Sequence, residues 1–326
     1  MKNQTAIDWL LEENQPCVRY LALTQLLGRT EDDSQVAMTR KMTTMTGWAA
    51  EILAKQTPQG WWVTGDKLYR PKYISTNWML LILSDLGLTK QEPRIRKACE
   101  LWITGLAKKD GGFGPQLLRS PHQSGKLTKG HLCTTGNTAR ALVKFGYADH
   151  PKVKRSFDWL VKNQNPKGGW SCFGSGRNLD SWEPMSAFAA LPPQKRTKSI
   201  NRAVEMGAEF FLERELHKQG TRYPPWYRFH YPVHYYYDVL VGLDFMTSLG
   251  YGDDKRMKYA IRLLKKKRRQ DNKWLLDAVH PDVEGGMMKW FNEHPKDKPI
   301  PFSLEKPGQP SKMITLTAMR VLSKLR

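Results

Sequence analysis

A helix-ending pair recurs along this 326-residue chain: Leu27-Gly28, Leu86-Gly87, Phe145-Gly146 and Leu249-Gly250. The first three pairs stand 59 residues apart, and the fourth lies about two further repeats on. A second mark alternates with the first: Gly60-Trp61, Gly112-Phe113 and Gly169-Trp170, with a weakened copy at Lys273-Trp274. Two interleaved marks with a spacing of roughly 50–60 residues specify a tandem array, in which each unit covers the apolar face of the next. A repeat that spans nearly the whole chain makes residues 1–326 one domain.

The segments between the marks carry helical periodicity. One set ends at the Leu-Gly and Phe-Gly pairs and runs roughly Pro16–Leu27, Ser75–Leu86, Thr135–Phe145, Trp182–Leu191, Val233–Leu249 and Lys312–Leu325. Its members are apolar on more than one face, as in Trp78-Met79-Leu80-Leu81-Ile82-Leu83, and helices apolar nearly all round are buried. The second set runs roughly Gln35–Ala54, Glu92–Ala107, Pro151–Asn163, Lys198–Leu216 and Asp254–Arg269, with Thr5–Glu13 as a sixth. It is one-sided and rich in Lys and Arg, which marks an outer layer with one wet face. Six inner and six outer helices in strict alternation close into a ring, so the expected fold is an all-α (α/α)6 toroid. Two connections, Gly114–Leu132 and Asp277–Ser311, exceed ordinary helix–helix loops and are expected to cover or shape a site.

Charge narrows the partners only partly. The formal net charge is +21, which is either a solvated basic surface or an attraction to nucleic acid, an anionic membrane, or a phosphorylated or acidic ligand. The densest run, Lys265-Lys266-Lys267-Arg268-Arg269, falls at a predicted helix end. Cations suit the dipole there, and no nucleic-acid-binding motif accompanies the run. Cys17, Cys99, Cys133 and Cys172 are too scattered for a disulfide framework. The N-terminal segment, with Asp8, Glu12 and Glu13, lacks a signal-peptide pattern, and no run of about 18 apolar residues appears. The expectation is a basic cytoplasmic protein whose membrane contact, if any, is peripheral and with an anionic surface.

In such a ring every inner helix points the same way, so six N-termini meet at one end. Their unpaired N–H groups and positive dipole ends favour an anionic or strongly polar group at that mouth. Arg19, Tyr20, Asn77, Asn137, Trp182, Tyr235 and Lys312 are therefore candidate ligand contacts. His234 and Asp238 stand four apart, which puts them on one helix face with the carboxylate placed to orient the imidazole. Asp180 and Glu183 flank Trp182 as a candidate acid and base, or else they cap the helix. Cys133 and Cys172 fall at the mouth on adjacent repeats. With His131, Asp180 or His234 they suit a zinc ion, or else they are two small buried residues. His122, His150, His217, His280 and His294 read as solvent-exposed.

Gln56-Thr57-Pro58-Gln59-Gly60-Trp61, Lys109-Asp110-Gly111-Gly112-Phe113-Gly114 and Gln164-Asn165-Pro166-Lys167-Gly168-Gly169-Trp170 resemble the Q-x-x-x-G-x-W repeats of terpenoid cyclases and protein prenyltransferase β-subunits. At the level of repeats the resemblance covers nearly the whole chain. It looks most like the small prokaryotic squalene-cyclase-like proteins. It implies an α/α toroid around an apolar cavity that takes an isoprenoid or other apolar ligand. The departures are specific. The Asp-x-Asp-Asp acid of class II cyclases is absent, as is the Asp-Asp-x-x-Asp of class I synthases; Glu31-Asp32-Asp33 and Asp253-Asp254 lie in predicted turns. Prenyltransferases hold zinc with an Asp, a Cys and a His near the mouth of the toroid. Residues 231–238 resemble their His-bearing helix loosely, and position 131 is His where their pattern has Asp.

Three functions remain open from sequence. The first binds or transforms an isoprenoid in the central cavity, with aromatic walls and Arg19, Arg140 and Lys312 set for a diphosphate. The second is a non-catalytic module that meets a protein partner on its rim. The third is a carbohydrate-active (α/α)6 enzyme using Tyr235, His234, Asn137 and Arg19 in a basic cleft.

Overall fold

The computed structural model describes residues 4–115, 129–172, 179, 181–217, 224–234, 236–280, 292 and 299–325. Thirteen α-helices lie among them: α1 (Gln4–Leu10), α2 (Pro16–Gln25), α3 (Ser34–Met42), α4 (Gly47–Ala54), α5 (Thr76–Asp85), α6 (Pro93–Leu106), α7 (Leu132–Lys144), α8 (Pro151–Lys162), α9 (Glu183–Ala190), α10 (Lys198–Glu213), α11 (Val239–Ser248), α12 (Lys258–Lys266) and α13 (Lys312–Ser323). No described helix is long and apolar enough to cross a membrane.

The inner ring runs α5, α7, α9, α11, α13, α2, each packed on the next. The remaining seam closes at Gly87, just past α5, where a Cβ would meet Leu21 and Tyr20 of α2 at 3.2 and 3.3 Å. In the inner helix α5 every residue from Thr76 to Ser84 is buried. In the outer helix α8 only Val153, Ser156, Phe157, Trp159 and Leu160 are buried, a single stripe. Both layers match the expected toroid. One outer segment differs: Gln35–Ala54 is two helices, because Gly47, the first residue of α4, takes a φ of +73° against the start of α2. A Cβ there would sit 2.9 Å from Gln15 Oε1, whose oxygen accepts the Trp48 N–H at 3.2 Å.

A single turn, built four times, joins outer to inner helix. Its first hydrogen bonds are Thr57 N–H to Trp61 C=O (2.9 Å), Lys108 to Gly112 (2.8 Å), Asn165 to Gly169 (2.8 Å) and Arg269 to Lys273 (3.0 Å). The residue before each acceptor, Gly60, Gly111, Gly168 or Asn272, has φ between 62° and 105°, the left-handed region that glycine and asparagine tolerate. Two residues past that point a large ring turns back. Trp62, Trp170 and Trp274 donate their indole N–H to Ile52, Leu160 and Leu264 C=O at 2.8, 2.9 and 2.8 Å. The tryptophan in this role at the first mark is Trp62 and not the half-buried Trp61. The backbone N–H of Trp62, Phe113 and Trp274 then reaches the hydroxyl of Thr76, Thr135 and Thr315, at 3.0, 2.9 and 3.0 Å, in the first turn of the inner helix. Gln56 and Gln164 bind across their own turns and onto Arg94 and Ala203 C=O of the next outer helix, at 3.1 and 2.8 Å.

Gly168 tests this turn. Alanine there must take a φ of +89° and drive its Cβ into the Met206 carbonyl of α10. Gly168→Ala should lose about 2–4 kcal/mol of stability in urea unfolding. Gly250→Ala, at φ +94° with open space around it, should lose only about 1–2 kcal/mol. Equal losses would show that the fit of the turn against α10 contributes nothing.

Candidate functional site

The N-terminal ends of the inner helices do not form an open mouth among the described residues. The loops that feed α5 and α11 fold over that end and meet the segment around His280. Tyr73 stacks on His280 (centroids 3.7 Å) and His234 (5.3 Å), and Trp78 meets His234 edge-on at 4.9 Å. His280 and His217, expected in solvent, are 4% and 2% exposed. His217 stacks on Tyr259. His150 caps α8 by accepting from Lys152 N–H. His122 and His294 lie outside the described residues, as do Asp180 and Tyr235.

Several expected ligand contacts are used to hold the ring. Arg19 donates to Leu11 C=O at 3.0 Å and pairs with Glu13. Lys312 reaches Trp9 C=O at 2.6 Å and Glu12 at 2.7 Å, tying the last inner helix to the first two helices. Asn77 accepts the Trp102 indole N–H at 3.2 Å, joining inner α5 to outer α6. Asn137 donates to the His234 C=O. Glu183 is buried where α9 meets α7, against Gly136, whose Cβ would lie 2.6 Å from the Glu183 carbonyl carbon. Cys133 and Cys172 do come together, with sulfurs 3.4 Å apart. His234 does not join them, and among the described residues no group of three His, Cys, Asp or Glu is placed to hold a metal.

The open chamber lies at the opposite end, among the helix C-termini. A cavity of about 540 Å³ is lined there by Tyr20, Leu21, Asp85, Arg140, Lys144, Ser186, Asp244, Phe245, Arg320 and Lys324. It continues into a narrow inner section of about 70 Å³, reaching Trp182, His230, Tyr231 and Asp238. Leu21, Asp85, Arg140, Lys144, Ser186, Asp244 and Arg320 line both. Of the expected contacts, Tyr20 and Trp182 therefore face this path. Lys144 pairs with Asp85 at 2.6 Å, and Arg320 clamps Asp244 through two bonds of 3.0 and 2.9 Å. Burial pushes the Asp85 carboxyl up, but Arg140, Lys144 and Arg320 together hold it below the usual carboxylate range. Four cations against two carboxylates leave this chamber positive. Arg140 stands at its neck, 5.8 Å from the Trp182 ring, and its Nε makes no hydrogen bond within the protein.

Asp238 orients a histidine, but it is His230. Spacing by four fails because helix α11 starts only at Val239, after both His234 and Asp238. Asp238 is instead the cap: Oδ1 accepts from Val241 N–H at 2.9 Å, and Oδ2 takes His230 N–H at 3.0 Å and lies 2.6 Å from His230 Nδ1. His230 is 2% exposed, and its Nε2 makes no hydrogen bond in the protein. Beside it the buried Tyr231 hydroxyl is likewise unbonded. Burial first, with the charges of Asp85 and Glu305 behind it, pushes the Tyr231 phenol well up, so it stays a neutral donor. One imidazole nitrogen is thus held by a carboxylate, and His230 lines the inner section of the cavity. A histidine eight residues from an aspartate gives no periodic signal, which is why helical spacing pairs Asp238 with His234 and not with His230.

His234 makes a separate prediction. Burial, with His280, His230, Arg140 and Lys72 adding positive repulsion, holds its imidazole far below the usual value of about 6.5. The unfolded chain takes up a proton there that the folded chain refuses. Stability therefore falls as pH drops below about 6.5, by up to about 1.4 kcal/mol per pH unit. Urea midpoints followed from pH 7 to 5 should fall more steeply for the unaltered protein than for His234→Phe. Parallel curves would mean that His234 accepts its proton inside the fold.

Residues 20–175 match the squalene-hopene cyclase C-terminal domain family. A squalene–hopene cyclase of Bradyrhizobium diazoefficiens is 30% identical over 124 residues, which is 37% of this chain and 18% of that protein. The terpene cyclase–glycosyl transferase fusion protein fsoA of Humicola fuscoatra is 32% identical over 123 residues, 36% of this chain and 9% of that one. The chain thus spans less than a fifth of the length of these relatives. A solved structure of a protein from Actinoplanes superposes with TM-score 0.50 at 16% identity, over 99% of this chain and 98% of the other. A variant of the type II terpene cyclase MstE from Scytonema, in complex with merosterolic acid A, does so with TM-score 0.50 at 16% identity, over 99% and 95%. At that identity the likeness concerns the fold alone. The chain is a terpenoid cyclase-like α/α toroid, with its squalene-hopene cyclase likeness carried by residues 20–175.

Proposed function

We propose that this toroid binds an isoprenoid-like ligand, an apolar chain with an anionic head, through the C-terminal ends of its inner helices. The observation that carries the reading is the cavity of about 540 Å³ with its positive neck, a size within the range of small-molecule sites. The head lies where Arg140, Lys144 and Arg320 line both sections, and the chain rests on Tyr20, Leu21, Ala189 and Phe245. Arg140 brings an unbonded, buried Nε to that point, and a buried cation gains most from an acceptor. That a neighbour of this fold holds merosterolic acid A agrees with an apolar occupant. At the inner end the His230–Asp238 pair and Tyr231 exchange a proton with the bound molecule. This set differs from the carboxylic acid of class II cyclases.

The test is calorimetric titration with farnesyl diphosphate and with farnesol. The diphosphate should bind at least about tenfold more tightly, since a charged hydrogen bond is worth about 1.5–3 kcal/mol. Ser186→Trp, which fills the neck from α9, should abolish binding of both. Arg320→Gln should weaken the diphosphate about tenfold and leave the alcohol unchanged. If neither compound binds, the reading fails; if both bind alike, the anionic head is the part that fails.

A second reading has one observation in its favour. Met38, Met42 and Met45 are 68%, 36% and 68% exposed on and just after α3, spaced to lie along one side. Soft exposed methionines suit a protein partner, and this face would serve the toroid as a non-catalytic interaction module.

A further inference from the structure

We propose that Cys172 and Cys133 form a hydroperoxide-reactive dithiol in which Cys172 is the attacking sulfur and Cys133 resolves it to a disulfide. This site is at the other end of the toroid from the ligand cavity and does not rest on the ligand reading.

The geometry comes first. Cys133 is the second residue of α7, and Cys172 follows the Trp170 turn, 39 residues away in sequence. Their sulfurs stand 3.4 Å apart, and a disulfide of about 2.05 Å needs only a small further approach. The Cys172 backbone is anchored, its N–H bound to Ser181 Oγ at 2.9 Å. Cys133 and Cys172 are partly exposed as residues, whereas Cys17 and Cys99 are buried. The surroundings also separate the two roles. The Cys133 thiol hydrogen bond, opposed by burial and helped by the N–H groups of Cys133 and Leu132 at the start of α7, brings Cys172 down to about 7. The same bond, with burial and the charges of Cys172 and Glu183, pushes Cys133 well up. Burial takes Cys17 up to about 12 and Cys99 higher still. The N–H groups at the start of α7 act on Cys172 and not on Cys133, so of the two sulfurs Cys172 ionises first. Two thiols without a third ligand among the described residues fall short of a zinc site but suffice for a disulfide.

The chemistry closes without further reagents. The Cys172 thiolate attacks one oxygen of the hydroperoxide; an S–O bond forms, the O–O bond breaks, and the alkoxide leaves and takes a proton to become an alcohol. Cys172 is then a sulfenic acid. The Cys133 sulfur attacks it, the S–S bond forms, the S–O bond breaks, and hydroxide leaves with the Cys133 proton as water. Two thiols lose two electrons in all, and the hydroperoxide gains them.

The reduced protein is treated with a small excess of hydrogen peroxide at neutral pH and read by intact and peptide mass spectrometry. The unaltered chain should lose the mass of two hydrogen atoms, give a peptide crosslinked between Cys133 and Cys172, and recover on addition of a dithiol reductant. Cys133→Ser should instead hold a sulfenic acid at Cys172 that dimedone traps, and Cys172→Ser should give neither product. The rate of alkylation of Cys172 by iodoacetamide should rise with a midpoint near pH 7 and move upward in Cys133→Ala. A crosslink to Cys17 or Cys99, trapping at Cys133, or an unchanged mass after peroxide each overturns the proposal. The mass and crosslink readings need no variant, so a variant that folds poorly does not remove the test.

Discussion

The repeated indole-to-carbonyl bond fixes how each outer helix hands the chain to an inner one. Trp62, Trp170 and Trp274 each return to a carbonyl ten residues back in the outer helix. At Trp62 and Trp274 the backbone N–H of the same residue also reaches forward to a threonine of the inner helix. One residue therefore bonds a carbonyl in the last turn of the outer helix and sets the angle to the next element. Phe113 separates the two functions: it has no indole N–H but keeps the backbone bond to Thr135 at 2.9 Å. The forward bond is common to the first, second and fourth turns, and the backward bond is the part that a phenylalanine forgoes.

The loops after these turns decide which end of the ring is open. A ring of parallel helices offers two mouths, and dipoles alone favour an anion at the N-terminal one. Here that end is filled by stacked aromatic and imidazole rings from three separate loops, and His234 sits among them as a buried neutral base. The C-terminal end has only short connections, so it stays open. Its helix ends carry partial negative charge, which Lys144, Arg320 and Lys324 oppose. Cations thus serve the helix termini first and remain available to a ligand second.

The array was legible because periodicity and helix stops are local signals. The inner and outer helices fall close to the segments expected, and the Leu-Gly stops at Gly28, Gly87, Gly146 and Gly250 all have φ between 64° and 94°. The site was less legible because it depends on where helices begin. Placing α11 six residues too early at Val233 assigned Asp238 the wrong histidine. The true start at Val239 turns the carboxylate into a cap and hands its second oxygen to His230. Arg19 and Lys312 misled for a related reason. A charged residue in the first turn of an inner helix need not face the axis, and both point to the end of α1 and the residue after it, where they bind the Trp9 and Leu11 carbonyls. The pairing of Cys133 with Cys172 was visible from the repeat, since both follow the same mark in adjacent units. Its chemistry was not, because the hydrogen bond between the two thiols, together with the N–H groups of Cys133 and Leu132, sets which sulfur ionises.

Helix α7 connects the two ends. Cys133 lies in its first turn, Arg140 at the neck of the cavity and Lys144 at the rim. A helix rises about 1.5 Å per residue, so Cys133 and Arg140 are held about 10 Å apart along one rigid rod. That rod has little freedom to slide. Gly136 lies so close to the Glu183 backbone that a Cβ would come within 2.6 Å of it, and Asn137 is bonded to the His234 carbonyl. Bringing the two sulfurs from 3.4 Å to about 2.05 Å is a movement of the size that side-chain rotation supplies, without a shift of α7. Oxidation at one end therefore leaves the Arg140 neck in place, and the thiol site and the ligand cavity stand as independent properties of one scaffold.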